Sequence, residues 1–188
     1  EQETLRRNRD LAALNRVGQE LSRLTDQDAI VQTLHSTIDQ LASAGNLIIA
    51  ISDPQTRQLS FPVHSVDGHH RDEPPAPMAA RVFEHTFITR RPLVLQSGVA
   101  AFLNEHNIPL PVPTPVSMAA IPMLAAERAV GGILIQNFET ENAFADSDLE
   151  LLSTIASQTT TALENANLFT EIRGALEAIE NRERYQAN

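Results

Sequence analysis

The feature that most constrains the fold is a long segment without proline at the end of the chain. From Asp148 to Tyr185 no proline interrupts the helical pattern, and a helix of that length extends about 57 Å. A core of about 130 residues has an expected radius of gyration of only about 14 Å. This helix is therefore expected to extend well beyond its own domain.

Two stripes of apolar residues repeat at the spacing of a coiled-coil seam. One lies near the start of the chain (Leu14, Val17, Leu21 and Leu24) and the other in the final helix (Phe169, Ile172, Leu176 and Ile179). An exposed Leu or Ile forgoes about 1.5–3 kcal/mol of burial, so we expect both stripes to form the interface of a parallel homodimer. The alternative is that the two stripes pack only on each other within one chain.

Between these helices the hydrophobic pattern changes to the period of strands. Strands are predicted at 47–52, 58–66, 92–96, 116–123 and 129–138, and short helices at 78–87 and 99–106. The last two strands are separated by a short turn and must therefore pair antiparallel. The pattern predicts an α+β fold, in which the proline-rich segment from Asp67 to Pro115 folds over one sheet face as a lid.

We divide the chain into a signalling and dimerisation helix (1–24), a sensor domain (25–168) and a coiled-coil extension (169–188). The longest clean apolar run, 47–51, is far shorter than the roughly 20 residues of a membrane span. No signal-peptide pattern opens the sequence, which begins at Glu1 rather than methionine. We therefore expect a piece of a longer cytoplasmic protein.

The composition excludes several classes of function. With 24 acidic and 14 basic residues among 188 and a net charge of −10, the chain repels phosphate backbones, so no nucleic-acid partner is expected. There is no cysteine, which removes thiol nucleophiles, Cys-type zinc sites and covalently attached bilins. All 14 basic residues are arginine, so a P-loop or Schiff-base lysine is excluded as well. No remaining residues show the spacing of a catalytic centre, and we predict that the chain is not an enzyme.

The last third of the chain carries a recognisable order of residues. Ser117 and Ile121-Pro122 lie in one strand, Gly132-Ile133-Leu134 in the next, and then follow Phe144 with Asp148, Leu151-Leu152, Ala156, Gln158 and Leu163 to Ala166. This order resembles the C-terminal half of a GAF domain, and the N-terminal helix resembles the usual lead-in of that family.

The resemblance implies a central antiparallel sheet of five or six strands with helices on both faces and long N- and C-terminal helices. It also implies a small-molecule pocket beneath the lid. GAF domains are mostly sensory or dimerising modules attached to kinases, cyclases, phosphodiesterases or transcription factors. The expected function is therefore a sensory domain of a bacterial signal-transduction protein, for example in a two-component system. Pocket occupancy would act through dimeric helices on an output domain beyond Asn188. A ligand-free dimerisation and relay module and a small-molecule enzyme remain the alternatives.

The resemblance leaves the ligand unidentified. Asn137, Phe144 and Asp148 match the motif of cyclic-nucleotide-binding members, but Phe138 and Leu149 stand where that motif has a lysine and an acid. Haem or iron needs a histidine inside the pocket as a ligand. A single histidine is more often a half-buried polar residue, so we expect neither haem nor iron. Adjacent histidines in a strand or loop point apart, so His69-His70 predicts a solvated loop, not a metal site.

Six residues are the candidates for contact with a ligand, because they bring aromatic, imidazole, hydroxyl and amide groups close to otherwise aliphatic strands. Such polar groups on apolar walls are typical of small-molecule pockets. The candidates are Phe61, His64, Phe83, His85, Ser117 and Asn137.

Overall fold

The structure is a computed structural model that describes residues 2–42, 46–53, 55–79, 81–126 and 128–186. Its helices are α1 (Gln2–Leu21), α2 (Gln27–Ala42), α3 (Val82–Thr89), α4 (Val99–Glu105) and α5 (Asp146–Gln186). Its strands are β1 (Leu47–Asp53), β2 (Gln58–Val66), β3 (His69–His70), β4 (Ala76–Pro77), β5 (Leu93–Leu95), β6 (Ser117–Leu124) and β7 (Ala129–Asn137). Among these described residues, no helix is both long and apolar enough to cross a membrane.

The strands form one antiparallel sheet in the order β3-β2-β1-β7-β6-β5, and β4 adds to β2 beside this path. The α+β class and the hairpin of the last two strands are confirmed. The sheet has seven strands instead of five or six, because two-residue strands from the lid segment pair with opposite ends of β2.

One face of the sheet is covered by the helices from the two ends of the chain. Alternate strand residues such as Ile49, Ile121 and Ile133 are fully buried there against α1, α2 and α5. The opposite face carries the other half of each strand, including Met118 and Leu134, beneath α3, α4 and the lid segment. The period-2 alternation of side chains therefore gives the same strands two separate cores.

The N-terminal stripe packs on other helices of its own chain and is partly to fully buried there. Leu21 is only 1% exposed, and Leu14, Val17 and Leu24 pack against the helical core. Within one chain this stripe already lies against α2 and α5, and its expected part in a dimer interface stays a prediction.

The C-terminal stripe is different, because α5 leaves the domain. Ala166 is the last buried residue of α5 among those whose side chains are described. Beyond it, Phe169, Ile172, Leu176 and Ile179 are each 52–60% exposed. Only this second stripe lacks a partner within the described part of the chain.

Two adjacent glycines in β7 allow the close packing of both faces. A Cβ at Gly131 would collide with the carbonyl oxygen of Ala50 in the neighbouring strand, and a Cβ at Gly132 would lie 2.5 Å from the ring of Phe83. The absence of a side chain at these two positions lets β1 and α3 approach β7.

Replacing Gly131 with alanine is expected to destabilise the fold by about 1–3 kcal/mol, as overpacking of a core does. The reason is that the colliding atom belongs to the backbone of β1, which its own pairing with β7 holds in place. Urea unfolding followed by circular dichroism measures the change. The matched control is Gly174→Ala on the exposed part of α5, where nothing lies within 4 Å of the added methyl. It is expected to stabilise by up to about 1 kcal/mol. An unchanged urea midpoint for Gly131→Ala would contradict the close approach.

Candidate functional site

A cavity of about 530 Å³ lies between the sheet and the lid segment, on the face away from the terminal helices. Its floor is formed by Ile48 of β1, Phe61 of β2, Met118 of β6 and Leu134 of β7. Pro109 to Pro113 form part of the wall. The volume falls within the range of about 300–1,000 Å³ that small-molecule sites occupy.

The aromatic and aliphatic lining is a direct consequence of the local sequence. Phe83 is brought over the sheet because α3 begins at Val82 and seats its first turn on Gly132. The alternating prolines between Pro109 and Pro113 favour an extended connector, and this connector places Leu110 and Val112 at the cavity. Most of the wall is therefore apolar.

Three charged or titratable side chains form a cluster at one end of the cavity. One carboxylate oxygen of Glu73, Oε2, lies 2.8 Å from Nδ1 of His64, and the other, Oε1, accepts a hydrogen bond from Nη1 of Arg81 at 3.2 Å. The guanidinium of Arg81 also lies over the ring of Phe61, with 5.1 Å between Cζ and the ring centroid. Glu73 thus joins the sheet to the residue that precedes α3.

The contact between Glu73 and His64 is an ion-pair contact by distance only. Nδ1 of His64 is enclosed by protein, yet it makes no hydrogen bond of acceptable geometry among the described residues. Arg71, whose backbone N–H donates to the carbonyl of His64 at 2.7 Å, lines the same end of the cavity. One buried polar atom at this end therefore lacks a well-placed hydrogen-bond partner among the described residues.

Three of the six predicted ligand residues line the cavity: Phe61, His64 and Phe83. The other three do not. Ser117 is fully buried and its hydroxyl donates to the carbonyl of Thr140 at 2.8 Å. The side-chain oxygen of Asn137 accepts hydrogen bonds from the backbone of Glu139 and Thr140.

His85 does not line the cavity either; it packs edge-on against Phe102 and His106, with ring centroids 5.3 and 5.0 Å away. These aromatic contacts join α3 to the end of α4. The role of His85 in this structure is therefore contact between two lid helices.

Sequence reasoning missed the charged residues of the cavity, Arg71, Glu73 and Arg81. A run of charged residues, Arg71 to Glu73, before two prolines has the pattern of a solvated loop. The available signal was the position of Arg81 within the helix predicted at 78–87, which indicates a cation near the pocket and nothing more specific.

A sequence profile of the GAF domain matches residues 25–164. The chain belongs to the GAF domain family. The profile covers most of the chain: it begins after α1 and includes α2, the whole sheet and the first half of α5. A comparison with curated protein sequences gives no match.

Solved structures confirm the GAF fold. The GAF domain of an Acinetobacter phosphoenolpyruvate-protein phosphotransferase superposes with a TM-score of 0.70 at 15% identity, covering 86% of this chain and 96% of that one. A segment of a methyl-accepting chemotaxis protein gives a TM-score of 0.67 at 18% identity, with coverages of 84% and 99%. The free methionine-R-sulfoxide reductase of Neisseria meningitidis, in complex with its substrate, gives 0.62 at 14%, with coverages of 83% and 89%. The fold is thus shared by a domain of a phosphotransferase, a segment of a chemotaxis protein and a reductase.

The partial cyclic-nucleotide motif has a structural explanation in this GAF domain. Phe144 packs against the helical core, on the other face of the sheet from the cavity. Asp148 lies in the first turn of α5, where a carboxylate interacts favourably with the helix dipole. Within the described ranges, His, Asp and Glu side chains form no group of three or more that could hold a metal ion.

Replacing Phe83 with alanine is expected to cost about 3–5 kcal/mol of unfolding free energy, since a buried phenylalanine is lost. Phe83 is 3% exposed and seats α3 on the sheet. The matched control is Phe138→Ala at a half-exposed position of the cavity lining, for which we expect a clearly smaller loss. Equal losses in guanidinium unfolding would contradict the role of Phe83 as the anchor of the lid.

Proposed function

We propose that this GAF domain is a sensor that binds a small molecule in the cavity and relays its occupancy through dimeric terminal helices to an output domain of the same protein. The observation that carries the proposal is the position of the cavity and α5 on opposite faces of the same two strands. The domain itself performs no chemistry in this proposal. Its cytoplasmic location and its place in a two-component system stay predictions from the sequence.

The strands β6 and β7 provide the physical connection. In β6, Met118 lines the cavity while its neighbour Ala119 belongs to the helical core. In β7, Leu134 lines the cavity while Ile133 and Ile135 face the helices. The helix α5 packs on both strands. Because protein interiors are close-packed, a ligand that displaces either strand would also displace α5.

The exposed stripe of α5 supports a dimer as the receiver of that displacement. Four large apolar side chains at the spacing of a heptad seam are 52–60% exposed. A second copy of the same helix would cover them in a coiled coil. The buried N-terminal stripe contributes indirectly, by packing α1 against α5.

An enzymatic function is favoured by neighbours such as the free methionine-R-sulfoxide reductase. That likeness concerns the fold alone at 14% identity. This chain has no cysteine, so a reaction that depends on a thiol is not open to it. The sensory proposal needs only the cavity and the strands beneath it.

Native mass spectrometry of the purified domain tests ligand binding. We expect a mass increment above that of the polypeptide which disappears on denaturation. Ala79→Trp adds a large side chain at an exposed rim position of the cavity and is expected to remove the increment while the fold is kept.

The matched control is Ala100→Trp at an exposed position of α4 outside the cavity lining; it should keep the bound mass. A bare wild-type protein under all purification conditions would favour the ligand-free relay module. A bound mass that both variants retain would place the ligand outside this cavity.

Charge placed on the exposed stripe tests the dimer. The double variant Ile172→Asp with Leu176→Asp is expected to weaken dimerisation by at least about 3 kcal/mol, since two side chains lose about 1.5–3 kcal/mol of burial each. Both positions are exposed in the single chain, so the thermal stability of the monomer should change little. Sedimentation equilibrium measures the dissociation constant.

Thr170→Asp with Ala178→Asp is the matched control, because it adds the same charge to exposed positions of α5 off the stripe. It should leave the dissociation constant near that of the wild type. If the stripe variant remains dimeric with an unchanged constant, α5 is not the interface and the relay loses its receiver.

A further inference from the structure

The charge of the cavity is opposite to that of the chain as a whole. The protein carries a net charge of −10, yet two arginines, Arg71 and Arg81, line the cavity against a single acid, Glu73. Basic residues make up a minority of the charged residues in this sequence. Their concentration at one end of an apolar cavity indicates a site that favours a negative group.

Arg81 is held in a position suited to an anionic partner. Its guanidinium lies over the ring of Phe61, with 5.1 Å between Cζ and the ring centroid, and its N–H groups remain hydrogen-bond donors. One of them, on Nη1, donates to Glu73 at 3.2 Å. A guanidinium has five N–H donors and binds a carboxylate most strongly through two of them, whereas among the described residues Arg81 donates one side-chain hydrogen bond, to Glu73.

Glu73 behaves as a carboxylate that a ligand can replace. It lies on a lid segment without regular secondary structure, and its side chain is 24% exposed. Its second contact, to His64, lacks hydrogen-bond geometry although the atoms are 2.8 Å apart. Because the pair is partly exposed, solvent screens part of its attraction, and a long side chain can rotate away without displacement of the backbone.

The remainder of the cavity determines what the anion must be attached to. Away from the arginine end, the wall is formed by aromatic, aliphatic and proline side chains, and Gln136 is a further polar lining residue. Leu110 and Val112, which are 40% and 93% exposed, lie in the same lining. Such a wall has few groups to hydrogen-bond a sugar or a base and many to bury a hydrocarbon or aromatic body.

We infer that the cavity takes an apolar molecule bearing one carboxylate, and that this carboxylate replaces Glu73 on Arg81. The inference rests on the proposed function, because it specifies the ligand of the same sensory cavity. It makes Glu73 an internal competitor of the ligand. Binding therefore frees Glu73 and breaks the contact that joins it to Arg81, the residue that precedes α3.

Isothermal titration calorimetry with three probes of equal chain length tests the charge preference on the intact chain. The probes are octanoate, octanamide and octylammonium. We expect octanoate to bind at least about tenfold more tightly than octanamide, as a charge-assisted pair with arginine provides. Octylammonium should bind most weakly. Octanamide binding as tightly as octanoate would overturn the inference but leave small-molecule binding in place.

Variants of the cluster separate a ligand site from a structural ion pair. Arg81→Gln should weaken octanoate about tenfold and leave octanamide unchanged, while Glu73→Gln should strengthen octanoate several-fold by removing the competitor. Arg128→Gln is the matched control, because it removes the same charge outside the cavity, at a side chain 4.0 Å from Glu164. It should alter neither affinity.

A Glu73→Gln variant that weakens octanoate binding would overturn the inference, since Glu73 would then support the site. Failure of all three probes to bind would overturn it as well. The proposed function would in that case still be judged by the mass increment of the purified protein. The comparison of probes on the wild type needs no variant, so it holds even if a substituted chain does not fold.

Discussion

The packing around Gly131 and Gly132 is the constraint on which the rest of the structure depends. Gly131 lets the backbone of β1 come close to β7, and Gly132 lets the ring of Phe83 lie directly on the strand. The first contact holds the centre of the sheet together, and the second fixes the start of α3 over the opposite face. The position of the lid, and hence the existence of a cavity, follows from the missing side chains of these two residues.

The cavity combines mostly apolar walls with charged side chains at one end. Its apolar walls lower the local polarity, which strengthens any electrostatic contact made inside. The cluster of Arg81, Glu73 and His64 lies at one end of those walls and brings charge to that end. In the free protein Glu73 meets part of the hydrogen-bonding capacity of Arg81, so the guanidinium is not left without a counter-ion. The same carboxylate also joins β2 to the segment before α3, and this connects the electrostatics of the site with the position of the lid.

The elements with a strong period were predictable from the sequence, and the details of the site were predictable only in part. The alternation in β2 places Phe61 on the cavity face, and the lid helix brings Phe83 there as well. Ser117 does not line the cavity although its neighbour Met118 does. The alternation of side chains along the strand turns Ser117 to the other face. The burial of Leu21 could not be read from a helical stripe alone, since spacing shows that a face is apolar but does not say what covers it. The pairing of Glu73 with Arg81 joins residues of an irregular segment, for which no periodicity exists.

The length of α5 amplifies a small tilt into a larger displacement at its far end. The helix is seated on the sheet only as far as Ala166 and continues to Gln186, a projection of about 30 Å at 1.5 Å per residue. For a rigid rod of that length, a tilt of about 5° at the seat displaces the far end by about 2.5 Å. Shifts in the sheet too small to alter its hydrogen bonds therefore become movements the size of a side chain at the tip. The projecting half of α5 would therefore pivot about the surface of β6 and β7, on which its first half packs.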